Sequence, residues 1–597
     1  MRLLALFAFF LFSVGIAQSQ PVSLNDMSAF KNPPANWSIV GDVVADLNQK
    51  NIMTSTPGKG VLLCQHPIGK YGREYDLMTN ATHGDADIEV EFMMAKGSNS
   101  GIYLQGRYEI QLFDSWGVKQ PRTYDVGSIY ERWDESKPEG QKGYEGYPAR
   151  MNACRAPGLW QKLKIAFQAP RFDANGKKIA NAKVLKVELN GVIVQENVEL
   201  TGPTRGGLEG EVAQGPLLIQ GDHGCVAFRN MVLKPYSNQV PMLKDLGYAL
   251  YDGIIVAEPD YSKTKAVKEG ITERLTYELA GKPNGFLVRF TGKITIPVAG
   301  EYRFQMINHG GHSALRINNQ TVAKWQWWEN NGKINLPAGD LPFEFVYSKN
   351  TDWATASMGL TVESDAARAI DLHALGSVNL SFPLNPILLK PTDEPRVHRS
   401  FFSINGESVS HGASVGEPSG IHYAVNLEKG AICRVWKGDF LDVTPMWHDR
   451  GNGMSIPQGS VLDLGNAPML ALLATEQGTW PASYGETDGY RFKGYDLDAT
   501  GRPTFKYDLA GVKVTDQIRP DAENKYLTRQ ITLSGTVPPT LRCRLATGKS
   551  IVKVADNLYS IDKSYYIQAE GASVRNANGE QELLLPAAAK MSYSLMW

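Results

Sequence analysis

The chain is poor in cysteine, and what it has forms no pattern. Its 597 residues contain five: Cys64, Cys154, Cys225, Cys433 and Cys543, far apart and odd in number. No CxxC or CxxCH occurs, which argues against a zinc ribbon and against covalently attached haem. A disulfide is admissible in an exported protein, and so is a set of buried thiols acting as small apolar side chains. An excess of charge of one sign is also missing, since 61 Lys and Arg face 62 Asp and Glu. There is no basic field for nucleic acid and no like-charge tail. No HxH or HExxH spacing calls for a metal, so the sequence requires no cofactor; Asp, Glu and His are nevertheless all present, and a divalent metal is compatible with them.

Long apolar runs are absent except at the N-terminus, Met1-Arg-Leu-Leu-Ala-Leu-Phe-Ala-Phe-Phe-Leu-Phe-Ser-Val-Gly-Ile-Ala17. One basic residue, an apolar stretch and small residues near its end read as a signal peptide over residues 1–19, cleaved after Ala17 or Ser19. The run is shorter than the ~20 residues a membrane span needs, and no Cys follows it for lipid attachment. No later stretch is long enough to span. The expectation is a soluble mature protein exported to a bacterial periplasm or beyond.

Helical signals are scarce as well. Short alternating runs separated by Gly, Pro, Asn and Asp recur along the chain, as in Asp87-Ile-Glu-Val-Glu-Phe92, Lys183-Val-Leu-Lys-Val-Glu-Leu189 and Tyr302-Arg-Phe-Gln-Met306. This spacing predicts an all-β protein of sandwiches or jelly rolls. Its length exceeds what one core serves. Polar and Pro-rich seams follow Tyr236 and lie near Ala374–Asn379, placing three β domains at about 21–236, 237–376 and 377–597.

Two stretches carry chemistry, Asn99–Asp114 and Leu217–Leu233. Both read as strand, turn, strand. Their polar positions hold Gln105, Arg107, Glu109, Gln111, Asp114, Gln220 and His223, groups that recognise sugars or move protons. Alternation puts Arg107, Glu109 and Gln111 on one face. Asp114 joins them only through a bulge or the strand end. The spacing Glu109-x-Gln111-x-x-Asp114 is similar to the Glu-x-Asp-x-x-Glu strand of laminarinase- and lichenase-type glycoside hydrolases, which are also jelly rolls. A retaining enzyme of that kind needs carboxyl groups ~5 Å apart; here the middle acid is Gln and the last is the shorter Asp.

The order of Asn99-Ser-Gly-Ile, Tyr108-Glu-Ile-Gln-Leu-Phe-Asp114, Gly127-Ser-Ile-Tyr130, Pro157-Gly-Leu-Trp160, Leu189-Asn-Gly191 and Gln220-Gly-Asp-His223 before Phe228-Arg-Asn230 resembles the 3-keto-disaccharide hydrolase family more closely. The resemblance covers the first domain and implies a concanavalin-like sandwich. It implies a carbohydrate substrate, a glucoside or disaccharide already oxidised at C3, and therefore a sugar 3-oxidoreductase upstream. A C3 ketone acidifies the hydrogen on C2; its removal expels the C1 substituent, and water then adds. From residue chemistry, Glu109 is the base, His223 donates to the oxyanion or the leaving oxygen, and Asp114 assists. Gln105, Arg107, Gln111, Tyr130 and Gln220 hold hydroxyls. The insert Glu131–Arg150, with Trp133, Tyr144 and Tyr147, reshapes the pocket. Against these roles stand a structural Glu109–Arg107 pair and a His223 satisfied by a turn.

The second region, with Phe290–Phe304, His312–Val322 and Asn335-Leu-Pro-Ala-Gly339, resembles the protective-antigen-type β-sandwich. Sugar-binding members place an Asp-Asp pair where this chain has Asn308-His-Gly-Gly-His312, so calcium-dependent binding is not expected. Trp325-Gln-Trp-Trp328 suits stacking on sugars, with buried packing the stronger expectation. The third region resembles a β-rich domain that accompanies secreted sugar-processing modules. It groups Trp436, Asp439, Asp442, Trp447, His448, Asp449 and Arg450, as a second ligand site or as a structural cluster. Two other readings of the whole remain: a classical retaining glycosidase, and a non-catalytic carbohydrate-binding protein.

Overall fold

The computed structural model describes residues 20–379, 385–448, 453–475 and 477–597. The signal-peptide reading, Asp449 and Arg450 lie outside the described residues. The protein is all-β: among the described residues the single α-helix is Thr444–His448, and the rest of the regular structure is strands and short 3-10 turns. No described helix is long and apolar enough to cross a membrane. The five cysteines are free and buried.

The chain forms two compact units, one mainly Lys234–Leu384, the other Pro21–His83, Asp87–Leu233 and Asn385–Trp597. In the second unit the N-terminal part is a two-sheet sandwich. Its principal strands are β1 (Trp37–Ala45), β2 (Met53–Cys64), β3 (Leu77–His83), β4 (Asp85–Met94), β5 (Asn99–Leu104), β6 (Tyr108–Phe113), β7 (Gln161–Gln168), β8 (Ala182–Leu189), β9 (Val192–Leu200), β10 (Gly215–Ile219) and β11 (Val226–Tyr236). One sheet runs β9-β8-β7-β4-β11-β2-β1, with Gln20–Pro21 pairing on β11. The other runs from Phe30–Lys31 through β3-β10-β5 to β6.

Alternation builds the core. In β7, Leu163, Ile165 and Phe167 are buried, while Lys162 is exposed and Lys164 half-buried. β4 likewise buries Ala86, Ile88, Val90 and Phe92 and leaves Glu89 and Glu91 half-exposed. Tyr108 of β6 meets Phe167 of β7 across the sandwich, with ring centroids 5.5 Å apart. β6 departs from this rule, because all of Tyr108–Leu112 is buried. One face of β6 packs on the core, and the other floors a cavity roofed by loops.

The C-terminal part of the same unit carries six-, four- and eight-stranded antiparallel sheets. Its core includes a fully buried ion pair, in which Arg529 Nη2 lies 2.6 Å from Asp516 Oδ2. Leu47, Ala156 and Leu159 of the sandwich share one apolar cluster with Leu558, Tyr566 and Met596. Tyr566 also donates its hydroxyl to the Pro157 carbonyl at 2.9 Å. Trp436 is a core residue stacked on Phe440, and its indole N–H donates to the Asp439 carbonyl at 3.0 Å.

The other unit is an eight-stranded sheet in the order Lys268–Ile271, Met242–Asp252, Phe286–Ile296, Gly339–Lys349, Gly300–Ile317, Ser357–Ser364, Ile370–Asp371, with Gln320–Leu336 pairing on Gly300–Ile317. Phe290, Phe304, Phe345 and Tyr347 lie in its core.

Candidate active site

Strand register brings the chemistry together. Tyr103 of β5 pairs with Glu109 of β6, and Gly101 with Gln111. Leu218 of β10 pairs with Tyr103, and the Gln220 backbone N–H donates to the Gly101 carbonyl at 3.0 Å. The Gly221 N–H then donates to Asp76 Oδ1, also at 3.0 Å. Paired residues share a sheet face, so Asp76, Gln220, Gln111, Tyr103 and Glu109 share one floor. Beside β6, the Tyr130 N–H donates to the Glu109 carbonyl at 3.2 Å, which brings Tyr130 to the rim.

The cavity above this floor measures about 370 Å³. Asn99, Tyr103, Glu109, Gln111 and Gln220 line it, with Asp76, Asp222, His223, Tyr71, Tyr130, Arg73 and Arg205 around them. Gly101 makes room for the central acid: a Cβ there would fall 2.1 Å from Glu109 Oε1.

Glu109 is 1% exposed. Burial pushes its carboxyl up to about 8; a hydrogen bond with Tyr103 opposes the shift, and the nearby Asp76 and Asp222 add to it. Burial likewise raises Asp76 to about 7, against the Gly221 hydrogen bond. Asp222 behaves differently. Burial acts to raise it, but hydrogen bonds from His223 and from the Gly72 N–H, together with the His223 charge, outweigh burial and hold it below the usual carboxylate range. Asp222 Oδ1 and His223 Nδ1 are hydrogen-bonded, and the imidazole also packs on Tyr71, with centroids 4.4 Å apart. This bond leaves His223 Nε2 for a ligand. Four buried atoms in the cavity have no hydrogen-bond partner among the described residues: Glu109 Oε2, Gln111 Oε1, Gln220 Oε1 and Asn99 Oδ1. Buried polar atoms are rarely left so. Each amide can turn either its oxygen or its NH₂ toward a ligand.

Of the residues singled out in the sequence, Glu109, Gln111, Tyr130, Gln220 and His223 line this cavity. Gln105, Arg107 and Asp114 do not. Gln105 occupies the β5–β6 turn with a positive φ of 52°, and its amide donates to the His83 and Ala213 carbonyls. Arg107 donates to the carbonyls of Gln105, Glu209 and Gly210. Asp114, past the end of β6, accepts the Gly97 N–H at 2.8 Å. Asp76, Asp222, Tyr103, Tyr71, Arg73 and Arg205 were not singled out. Asp222 was within reach, since it adjoins His223 in Gln220-Gly-Asp-His223. Asp76 follows a turn with no local signature, and only the pairing of β3 with β10 brings it in. No group of three or more His, Cys, Asp and Glu side chains among the described residues is placed to hold a metal ion.

Residues 35–234 match the family of 3-keto-alpha-glucoside-1,2-lyase-like domains. No curated protein matches the chain. Among solved structures, a Parabacteroides distasonis protein named "putative glycosyl hydrolase" is 22% identical over 37% of this chain and 84% of its own, with a TM-score of 0.24. A second protein of the same name and organism is 17% identical over 36% and 99%, also with a TM-score of 0.24. An anti-sigma factor domain-containing protein from Clostridium clariflavum is 13% identical over 49% and 97%, with a TM-score of 0.19.

Proposed function

Proceeding from residues 35–234 as a 3-keto-alpha-glucoside-1,2-lyase-like domain, we propose that the protein cleaves glycosides of sugars already oxidised at C3. The reaction is elimination followed by hydration. One observation carries this reading: a buried carboxyl, Glu109, shares a cavity with an Asp222–His223 pair and with three amides whose oxygens have no protein partner.

The C3 ketone makes the C2 hydrogen acidic. Ionised Glu109 takes that proton; burial makes its carboxylate a stronger base than a solvated one. Tyr103 lies against the carboxyl, its hydroxyl also within 3.3 Å of the Arg205 carbonyl, while Oε2 stays free to react. Negative charge develops on the C3 oxygen. The NH₂ groups of Gln111 and Asn99 are the donors available to it, while Gln220 Nε2 lies 3.2 Å from His223 Nδ1. The C1–O bond breaks as the C1–C2 double bond forms, and His223 Nε2 protonates the departing oxygen. Asp222 accepts the Nδ1–H and so orients and stabilises the doubly protonated ring, the form that carries the Nε2–H for that transfer. Water then adds at C1 and the proton returns to C2, so the net change is hydrolysis. Export, and supply of the keto sugar by a sugar 3-oxidoreductase, belong to the same proposal.

The test is aglycone release from a 3-keto-glucoside and from its unoxidised parent. Release from the keto sugar alone, lost in Glu109→Ala and His223→Ala, with solvent deuterium appearing at C2, is the expected result. Release from the parent sugar would replace this reading with a classical glycosidase. Asp114 does not line the cavity, so such an enzyme would draw its second carboxyl from Asp76 or Asp222.

A further inference from the structure

The Trp-rich stretch of the Lys234–Leu384 unit is not buried packing alone. Trp353 is 69% exposed and Trp327 39%. Six rings touch in succession. His312 stacks on Trp325 (5.2 Å) and meets Trp327 edge-on (5.1 Å). Trp327 adjoins Trp328 (6.3 Å), and Trp328 stacks with His309 (4.7 Å) and Trp353 (5.7 Å).

Backbone irregularities assemble this strip. Between Asn308, which pairs with Trp328, and His312, which pairs with Trp327, the strand Gly300–Ile317 has three residues, His309-Gly310-Gly311, with no partner on Gln320–Leu336, while His309 pairs on its other side with Ser357. The bulge presses against the next strand so closely that a Cβ at Gly311 would lie 1.6 Å from the Ser348 carbonyl oxygen. It brings His309 onto Trp328. Trp328 itself has φ of +70°, an outlier for a bulky residue. Such conformations persist only where the surrounding structure holds them, and they cluster at ligand-binding positions. Trp325 ties the strip down by donating its indole N–H to the Val256 carbonyl at 2.9 Å. Among the described residues the indole N–H groups of Trp327, Trp328 and Trp353 meet no acceptor. The exposed ionic residues beside the strip in sequence, Lys324, Glu329 and Asp352, give no field of one sign.

We propose that this strip is a carbohydrate-binding site that holds uncharged pyranose chains by stacking their C–H faces on Trp353 and Trp327. Fixed aromatic faces with free N–H donors at their edges match a ligand that is apolar on its ring faces and hydroxylated around them. The mixed charge around the strip suits a neutral glycan and offers nothing to nucleic acid or anionic lipid. The site would keep a sugar-cleaving protein on a polymer that supplies its substrate.

The test is affinity electrophoresis of the full chain in gels containing laminarin, dextran, xyloglucan or xylan. Retardation by at least one glycan is expected. Trp353→Ala should weaken it about ten-fold, the equivalent of one lost aromatic stack, and Trp353→Phe should restore most of it. Neither change should alter turnover of a small soluble 3-keto-glucoside, which separates this inference from the proposed reaction. Three results would overturn it: no retardation by any of the four glycans, retardation indifferent to Trp353→Ala and Trp327→Ala, or self-association of the wild-type chain that Trp353→Ala abolishes.

Discussion

Glu109 concentrates the proposed chemistry, and the cost, of the site. Its ordinary carboxyl value of 4.5 rises to about 8 in the fold. Between those values the unfolded chain ionises Glu109 while the folded chain keeps it protonated, so its contribution lowers stability as pH rises through that window. Glu109→Gln should therefore raise the melting temperature at pH 7–8, by an amount equivalent to about 1–3 kcal/mol, while abolishing turnover. Calorimetry at pH 5 and pH 8 would check the sign, because the gain should shrink at the lower pH. In the proposed reaction the ionised form is the base, so kcat/KM for a 3-keto-glucoside should climb with pH up to about 8. A profile already flat from pH 5 would contradict a base at this position. Asp222→Asn should cut kcat by about 10²-fold, chiefly because an amide does not stabilise the protonated His223 ring as a carboxylate does, with a far smaller change in KM. The sequence showed Glu109 and His223 by residue type and motif. It could not show their ionisation states, since burial and the approach of Asp76 and Asp222 set those.

The β5–β6 hairpin and the β10 loop form the floor by register alone. A one-residue slip of β6 would turn Glu109 and Gln111 into the core and bring Tyr108 and Ile110 into the cavity. Gly101 leaves the central carboxylate its room, since a Cβ there would fall 2.1 Å from Glu109 Oε1. Gly101→Ala should push the carboxylate off its place. We expect about 10²-fold lower kcat and a destabilisation of about 1–3 kcal/mol from overpacking, read from kinetics and thermal melting together. The alternation of Tyr108–Leu112 was legible in the sequence. That Asp114 turns away to the Gly97 N–H was not, because the strand ends at Phe113 and the loop geometry takes over. Gln105 and Arg107 looked like sugar ligands for a related reason: polar residues at a hairpin turn can serve neighbouring carbonyls as well as a groove, and only packing distinguishes the two.

On the scale of the molecule, the N-terminal sandwich and the C-terminal sheets share the cluster of Leu47, Ala156, Leu159, Leu558, Tyr566 and Met596 within one unit. Leu558 lies more than 300 residues beyond the last cavity residue, His223. Leu558→Ala and Leu159→Ala should each destabilise the unit by about 2–5 kcal/mol and lower the midpoint of the same melting transition without changing kcat. Two separate transitions, each moved by only one substitution, would mean the two parts do not unfold as one body.

The sequence by itself determined the class of the protein. Strand-length alternation with turn residues between leaves no amphipathic helix to bury, and the Asn99–Asp114 and Gln220–His223 stretches mark where polar chemistry replaces a plain sheet face. Tertiary structure decided which of those polar residues meet. Asp76 enters the cavity through pairing of β3 with β10, and Asp114 leaves it because its strand stops. Trp353 joins Trp328 because a three-residue bulge and a left-handed backbone turn aromatic rings onto one surface. Period-two alternation is a local property of the chain and is written in it. Register, bulges and the partners of a buried charge depend on residues far away in sequence, and only folding brings those together.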